Sequence, residues 1–380
     1  MLKKILIAIS GLIIGILICG YFVYFKSSLP IHTKPQAEKQ VIGFLPYWLL
    51  DKAKTNYAND ITTLTYFALN AGPDGHIVKL VNPQQEDPGW YALDSGKVNP
   101  FFSNARKNNI KLSLLISSGD ADAINQLILK PSEHAHNLIA DVSPIMKLYH
   151  FQDLNLDIED TSPASAAAQM HFTEFVKAVN QQLQKNKLGT LTLEISPTDA
   201  IIPNLIDIKA VTPYTNTIVI MAYDYHSPVS FVTGPVAPIN GAGTEDEYDV
   251  TTAVEETMQQ TPPDKIILGM PLYGYEWESL STAIHSAVIP GSGVLASDDR
   301  MESFLPSCAS CSAFFDTSSQ EEFIVYKDQD TGTYHQIYFP NQQSVAATIN
   351  LAKQKELAGV ALWALGYEGN NMLTPLTSYK

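Results

Sequence analysis

Short apolar runs recur along the chain, separated by longer stretches in which apolar residues follow a helical spacing. Between Met170 and Lys185, for example, apolar residues recur every three or four positions, as they do on one face of a helix. The apolar runs themselves have the length of strands. We therefore predict eight strands, at residues 41–48, 61–69, 110–118, 151–159, 190–196, 217–224, 265–274 and 359–366.

The alternation of strands and helices predicts the fold class. It is typical of a parallel sheet covered by helices, and eight such units are what a (β/α)8 TIM barrel requires. An open doubly wound sheet is the structural alternative, but no glycine-rich GxGxxG or phosphate loop follows the first strand. We therefore predict an α/β TIM barrel over residues 41–370, with its site at the carboxyl ends of the strands.

The interval between the seventh and eighth predicted strands is longer than the others. It contains two strand-like stretches, at 321–328 and 333–340, and the pair Cys308 and Cys311. We predict a small α+β insertion at about residues 278–340. In an oxidising compartment the two cysteines can form a local disulfide, whereas one CxxC pair is half of a usual four-ligand zinc site. The disulfide is the favoured interpretation.

The N-terminal segment indicates the cellular compartment of the folded part. Residues 5–25 carry no charge, and 21 residues are enough to cross the hydrocarbon layer as a helix. We predict a membrane anchor or signal sequence over 1–25 and a linker over 26–40. The folded part is then expected outside the cytoplasm, periplasmic or extracellular, either anchored or secreted if the segment is cleaved. Cys19 could indicate lipidation, but bulky Ile18 precedes it, so a membrane-buried cysteine is favoured.

Composition and charge exclude some classes of partner. Hydrophobic residues make up 45% of the chain and charged ones 17%, which is typical of a folded core. The formal net charge of −15 argues against nucleic acid, because binding phosphates needs clustered Lys and Arg. The histidines show no metal-ligand spacing, so we predict no metal site and no cofactor.

Acidic residues interrupt the fourth predicted strand, "LNLDIED". Because side chains alternate along a strand, Asp153, Asn155, Asp157 and Glu159 share one face. A solvated edge strand would explain such a face, but a strand in a parallel barrel is covered on both sides. Asp157 and Glu159 lie roughly 6–7 Å apart along the strand, and their repulsion and burial would raise the pKa of one of them. Paired carboxylates in a barrel indicate glycoside hydrolysis.

The sequence resembles glycoside hydrolase family 18, the chitinases and their relatives, over about residues 41–370. The fourth-strand motif of the family is DxxDxDxE, whose last two acids match Asp157 and Glu159, while Gln152 and Asn155 replace the first two. Bacterial spore-germination and cell-wall-type relatives are the most similar subgroup. Five other strands agree with the family's signatures, through "GFLPYW", "LISSG", "MAYDYH", "GMPLYGYEW" and "LWALG".

The resemblance implies retaining, substrate-assisted hydrolysis of β-1,4 linkages next to N-acetylglucosamine in chitin, chito-oligosaccharides or peptidoglycan. Glu159 would protonate the leaving oxygen, the substrate's own acetamide would attack, Asp157 would stabilise the cyclic oxazolinium ion, and Tyr223 would hydrogen-bond the acetamide. A rim or structural role is expected for His226. The substrate-binding residues implied are Asn155, Asp224, Met221, Trp363, Trp48, Tyr275 and Trp277.

The two motif replacements leave an alternative open. Gln152 and Asn155 cannot accept a proton, although an amide can still donate a hydrogen bond to Asp157 and hold it ionised. A weakly active or inactive carbohydrate-binding, lectin-like protein on the same barrel is therefore the second hypothesis. Because Glu159 is present, the enzyme is favoured.

Overall fold

The structure, a computed structural model, describes Tyr21, residues 38–160 and residues 162–379. Apart from Tyr21 and residues 38–40, the segments predicted as anchor and linker lie outside the described residues, so both stay predictions. In the part of the chain that the structure describes, no helix has the length and apolar character needed to cross a bilayer. The chain divides into two compact units, Met1–Glu38 and Lys39–Lys380, and the second contains the barrel.

Eight parallel strands close into the predicted barrel. They follow one another around the ring in chain order, and the last strand pairs with the first, with Val360 opposite Val41. The barrel consists of β1, β2, β5, β6, β7, β8, β9 and β15. In chain order, the strands are β1 Gln40–Pro46, β2 Thr63–Asn70, β3 Leu80–Asn82, β4 Gln85–Glu86, β5 Lys111–Ser118, β6 Asp153–Ile158, β7 Thr190–Ile195, β8 Thr217–Ile220, β9 Ile266–Pro271, β10 Tyr273–Ser279, β11 Val294–Ser297, β12 Ser312–Asp316, β13 Glu321–Lys327, β14 Tyr334–Phe339 and β15 Gly359–Trp363.

Helices cover the outside of the barrel. The α-helices among the described residues are α1 Pro88–Asp94, α2 Asn99–Lys107, α3 Ala121–Leu129, α4 Pro131–Tyr149, α5 Ala166–Asn186, α6 Ile208–Val211, α7 Val250–Met258, α8 Asp298–Phe304 and α9 Gln342–Gln354. Short 3-10 turns lie at Tyr47–Leu49, Thr212–Tyr214, Pro263–Lys265, Leu305–Ser307 and Thr374–Ser378. The helical stretch predicted from Met170 to Lys185 is confirmed within α5.

The two faces of β6 show how the sequence forms the barrel. Leu154 and Leu156 point outward into the main core, where they join helix residues such as Phe172 and Val176. Full burial of an apolar side chain of this size stabilises the fold by about 1.5–3 kcal/mol. The opposite face, which carries Asp153, Asn155 and Asp157, is also buried, but inside the barrel. The rest of that interior is largely apolar, so these polar groups need an explanation other than solvation.

An insertion follows the seventh barrel strand, as predicted, although it begins earlier than residue 278. Its antiparallel sheet has the order β11-β10-β14-β13-β12, and α8 accompanies it. Cys308 and Cys311 are joined by a disulfide in this segment. The favoured interpretation of the CxxC pair therefore agrees with the structure.

All eight predicted barrel strands are present, but several of them end earlier than predicted, including β8, β9 and β15. The prediction of β8 ran to residue 224, whereas the strand stops at Ile220. The prediction of the seventh barrel strand ran to residue 274, whereas the chain leaves β9 at Pro271 and starts β10 at Tyr273. At the break, the Leu272 amide donates a hydrogen bond to the Trp363 carbonyl on β15 (2.7 Å). The local sequence pattern does not predict this contact.

Candidate active site

A cavity of about 430 Å³ opens at the carboxyl ends of the barrel strands. Its walls are formed by residues of β1, β2, β5, β6, β7 and β15 and by the segments that follow β6, β7 and β8. The predicted residues Asp157, Glu159, Met221, Tyr223 and Trp363 all line it, as does Asp224. Residues separated by more than 200 positions in sequence are therefore brought together at one site.

The two carboxyl groups of Asp157 and Glu159 share a hydrogen bond. Asp157 is buried at the end of β6, and burial and the charge of Glu159 raise its pKa well above the usual range. Glu159 is exposed to the cavity, and burial of its carboxyl and the charge of Asp224 raise its pKa as well. Two adjacent desolvated carboxyls cannot both ionise at modest cost, so the pair holds one proton between them. A site with this pair can donate a proton to an oxygen in the cavity.

A second polar layer lies below this pair, and sequence reasoning missed most of it. Glu194 on β7 is fully buried and accepts a hydrogen bond from the Asn155 side-chain amide at 2.5 Å. Asp153 accepts hydrogen bonds from Ser113 (2.7 Å) and Thr190 (2.5 Å), and burial raises its pKa to about 6. Asn155 lies within this layer and does not line the cavity, so its predicted contact with substrate is not supported, whereas Glu194 does line it.

Tyr223 and Asp224 follow β8 and face the pair from the other side of the cavity. Burial and the nearby carboxylates keep the pKa of Tyr223 well above its usual range, so its hydroxyl stays protonated and can donate. Asp224 has a positive φ of 60° and accepts hydrogen bonds from the hydroxyls of Tyr273 (2.7 Å) and Tyr275 (2.8 Å). These bonds favour its ionised form against burial.

Aromatic rings form the floor of the cavity. Trp363, at the end of β15, lies parallel to Tyr223, with 6.4 Å between ring centroids and 6° between planes. It also packs edge-on against Phe67 and Phe44. A flat ring held in this way offers a surface for the apolar face of a pyranose. Trp48 packs against Trp363 with 6.3 Å between centroids and is 46% exposed, so it lies beside the floor.

Besides Asn155 and Trp48, two more predicted substrate-binding residues do not line the cavity. Trp277 is completely buried in the insertion, packs against Tyr275 and Tyr338, and its indole N–H donates to the Ser227 carbonyl. A ring without an exposed face cannot stack on a sugar, so the prediction for Trp277 is not supported. Tyr275 is also buried, and it acts on the site through Asp224 rather than through the cavity surface. The chain turn at Leu272 carries both residues into the insertion.

One group of side chains among the described residues has the composition of a metal site. His226, Asp246 and His285 bring their ligand atoms within 4.8 Å of one another. The His226 Nδ1–H donates to the Pro235 carbonyl at 2.9 Å, so this histidine has a structural contact as expected. The three residues are far apart in sequence, which explains why no spacing revealed them. They lie outside the cavity of Asp157 and Glu159.

Comparison with known proteins identifies the family. The model of the glycosyl hydrolases family 18 matches residues 32–368. The chain belongs to this family. It is a chitinase-like glycoside hydrolase, and both the family resemblance and the prediction of an enzyme are confirmed.

Relatives within glycosyl hydrolase family 18 include bacterial enzymes of sporulation. The putative sporulation-specific glycosylase YdhD of Bacillus subtilis is 25% identical over 346 residues, which is 88% of this chain and 74% of that protein. A cortical fragment-lytic enzyme of the same species is 23% identical, over 71% of this chain and 61% of that protein. The predicted similarity to spore and cell-wall relatives is therefore confirmed.

Solved structures of the family show the same fold. The spore cortex-lytic enzyme SleL of Bacillus megaterium aligns with a TM-score of 0.70 at 19% identity, covering 91% of this chain and 75% of that one. The group IV chitinase of Ostrinia furnacalis, in complex with allosamidin, aligns with a TM-score of 0.75 at 20% identity, covering 90% of this chain and 97% of that one. The TIM-barrel prediction is thereby confirmed.

Proposed function

We propose that this family 18 enzyme hydrolyses β-1,4 linkages next to N-acetylglucosamine by a retaining, substrate-assisted mechanism. The observation that carries the proposal is the pair of adjacent, desolvated carboxyls of Asp157 and Glu159 in a cavity with an aromatic floor. Glu159, which is exposed to the cavity, gives its proton to the glycosidic oxygen. The acetamide oxygen of the same sugar attacks the anomeric carbon, so that the leaving group departs and an oxazolinium ion forms.

Each neighbouring group has a defined part in this reaction. As Glu159 loses its proton to the leaving group, Asp157 lies beside the positively charged oxazolinium ring and stabilises it. The protonated hydroxyl of Tyr223 donates to the acetamide oxygen and orients it. Asp224 is fixed by two tyrosine hydroxyls and binds the same sugar. Water then opens the ring, with Glu159 acting as the base.

The polymer is chitin, a chito-oligosaccharide or peptidoglycan. Relatives described as cortical fragment-lytic and spore cortex-lytic enzymes favour peptidoglycan, and relatives described as chitinases favour chitin. Both polymers lie outside the cytoplasm, which agrees with the proposed anchored or secreted location. Exposure of Glu159 to the cavity favours hydrolysis over lectin-like binding.

A change in the substrate tests the mechanism directly. Oligosaccharides that carry a free amine or a hydroxyl in place of the N-acetyl group at the cleavage site should bind but react at least about 10³-fold more slowly, because the intramolecular nucleophile is gone. A thiazoline analogue of the oxazolinium ion should inhibit. Comparable turnover of the modified and N-acetylated substrates, or a glycosyl ester trapped on Asp157, would show a conventional nucleophile instead. Binding of N-acetylated oligosaccharides without any cleavage would favour the lectin-like alternative.

A further inference from the structure

The family motif loses an acid at Asn155, and the structure places another carboxyl next to it. Asn155 pairs with Thr192 across β6 and β7, and Glu194 lies two residues farther along β7 on the same inward face. The Asn155 amide donates to Glu194 Oε1 at 2.5 Å. We infer that Glu194 replaces the missing motif acid as a positioning residue, holding Asn155 and exchanging with water in the cavity the proton that the amide cannot carry. This inference rests on the proposed function.

Buried polar atoms without hydrogen-bond partners support this assignment. Glu194 Oε2, Asn155 Oδ1 and Asp157 Oδ1 are all buried, and none has a hydrogen-bond partner among the described residues. Buried polar atoms are rarely left in this state, because each one costs about 1–3 kcal/mol. The three atoms lie on two adjacent strands, and two of them belong to residues that line the catalytic cavity. This arrangement indicates a group that exchanges protons with substrate or water and does not serve stability alone.

Charge in the barrel interior gives Glu194 its chemical role. Burial and the charges of Asp157, Glu159 and Asp153 raise the pKa of Glu194 well above its usual range, so Glu194 holds a proton more readily than a solvated glutamate does. Tyr223 and Asp224 face this group of acids from the segment after β8. Among the described residues, the causes that shift the pKa of Glu194 include no cationic side chain. A protonated Glu194 limits the negative charge around Asp157 and can release its proton, whereas an amide at this position would be neutral but could not exchange a proton.

A reciprocal exchange of the two side chains tests the inference. Glu194→Gln leaves two amides and no acid in the pair, and we expect kcat to fall about 10–100-fold, KM to change less than about threefold, and the pH–rate profile to shift by at least about half a unit. Asn155→Asp combined with Glu194→Gln restores one acid and one amide with the positions exchanged. This double variant should recover most of the lost kcat.

The results for these variants distinguish a proton-exchange role of Glu194 from a purely structural role, and they test it separately from the proposed function. Wild-type rate and pH profile in Glu194→Gln, or a double variant no better than Glu194→Gln alone, would overturn the inference. Glu133→Gln on the exposed surface of α4 is the matched control and should leave both unchanged. All variants are compared on one N-acetylated substrate, whereas the proposed function is tested by changing the substrate of the wild type, so the two can fail independently.

An independent observation concerns the group formed by His226, Asp246 and His285. These residues line a second cavity of about 510 Å³, which shares Tyr225 and Tyr248 with the catalytic cavity. The geometry points to a divalent metal site of the zinc class, because two imidazole nitrogens and one carboxylate within 4.8 Å are a ligand set that zinc uses.

The surroundings of these ligands suit a metal. The Pro235 carbonyl contacts His226 Nδ1 at 2.9 Å and orients the ring, as backbone carbonyls commonly do for metal-bound histidines. The Asp246 side chain is 4% exposed, and its Oδ1 has no hydrogen-bond partner among the described residues, with His226 Nδ1 at 3.8 Å. Glu245, Asp316 and Asp249 surround it with further negative charge. A cation would neutralise this desolvated carboxylate.

Metal content of the purified chain without added histidines tests the site. After exposure to Zn²⁺ and dialysis, we expect about one equivalent of zinc by mass spectrometry, and a loss of that equivalent in His285→Ala and in Asp246→Asn. His136→Ala, on the exposed surface of α4, should retain it. Circular dichroism confirms that the variants are folded. A wild type that binds no zinc, or variants that bind as much as the wild type, would overturn the assignment.

Discussion

Glu159 is the residue on which the proposed reaction depends most directly, because its carboxyl lines the cavity and interacts with that of Asp157. We expect Glu159→Gln to lower kcat by about 10²–10⁴-fold, since the amide cannot donate a proton to the leaving group. Binding of N-acetylglucosamine oligomers, measured by calorimetry, should persist. Glu174→Gln on the exposed side of α5 is the control. Hydrolysis that continues at the wild-type rate would remove Glu159 from its catalytic role.

At the scale of single residues, sequence reasoning found the upper layer of the site and missed the layer beneath it. Asp157 and Glu159 follow from the fourth-strand motif and Tyr223 from the sixth-strand signature of the family, and the structure brings them together. Glu194 had a signal of its own, because "TLTLEI" on β7 alternates polar and apolar residues as "LNLDIE" does on β6. Trp277 was misassigned, because a tryptophan near a strand end has the same local pattern whether it is exposed or buried.

At the scale of elements, every barrel strand was predictable, but several strand ends were not, among them those of β8 and β9. Apolar residues continue past both ends, so the local pattern predicts longer strands. The structure stops them with long-range contacts, such as the hydrogen bond from Leu272 to Trp363 on β15. These early ends place Tyr223 and Asp224 in the cavity rather than in the sheet.

Asn341 joins the insertion to a barrel helix and allows a prediction about element stability. Its side chain accepts hydrogen bonds from the backbone of Gln343 (2.8 Å) and Ser344 (3.2 Å) and caps α9, and its amide donates to Glu322 on β13 (2.9 Å). We expect Asn341→Ala to lower the free energy of unfolding by about 1–2 kcal/mol in urea titrations. Asn341→Ser keeps a capping oxygen and loses the contact with Glu322. If Ser is as destabilising as Ala, the cap is not the cause.

At the scale of the whole molecule, buried acids make stability depend on pH. Glu321 on β13 is fully buried and accepts hydrogen bonds from the backbone of Val236 (3.0 Å) and Ala237 (2.5 Å), and burial raises its pKa to about 7. The folded protein therefore binds this proton more tightly than the unfolded chain does. The stability from that proton is complete below about pH 4.5 and is lost as the pH rises to about 7.

Glu321→Gln isolates this contribution, because the amide does not titrate. The variant loses one of the two oxygens that accept hydrogen bonds, so it should be less stable than the wild type at pH 4.5. Between pH 4.5 and 8, the free energy of unfolding of the wild type should fall by about 3 kcal/mol relative to that of the variant. Chemical denaturation of both proteins at several pH values measures this difference. A difference that stays constant with pH would mean that the pKa of Glu321 is not raised by folding.

The hydrogen bonds from Tyr273 and Tyr275 to Asp224 limit how such enzymes can diverge or be redesigned. Both tyrosines lie on β10, the first strand of the insertion. A shortened protein without the insertion could still close its ring of eight strands, yet Asp224 would lose the two donors that orient its carboxyl and favour its ionised form. The insertion is therefore not a detachable module. A chimera that borrows this sheet from a distant relative should keep its turnover only when the tyrosine pair is transferred too.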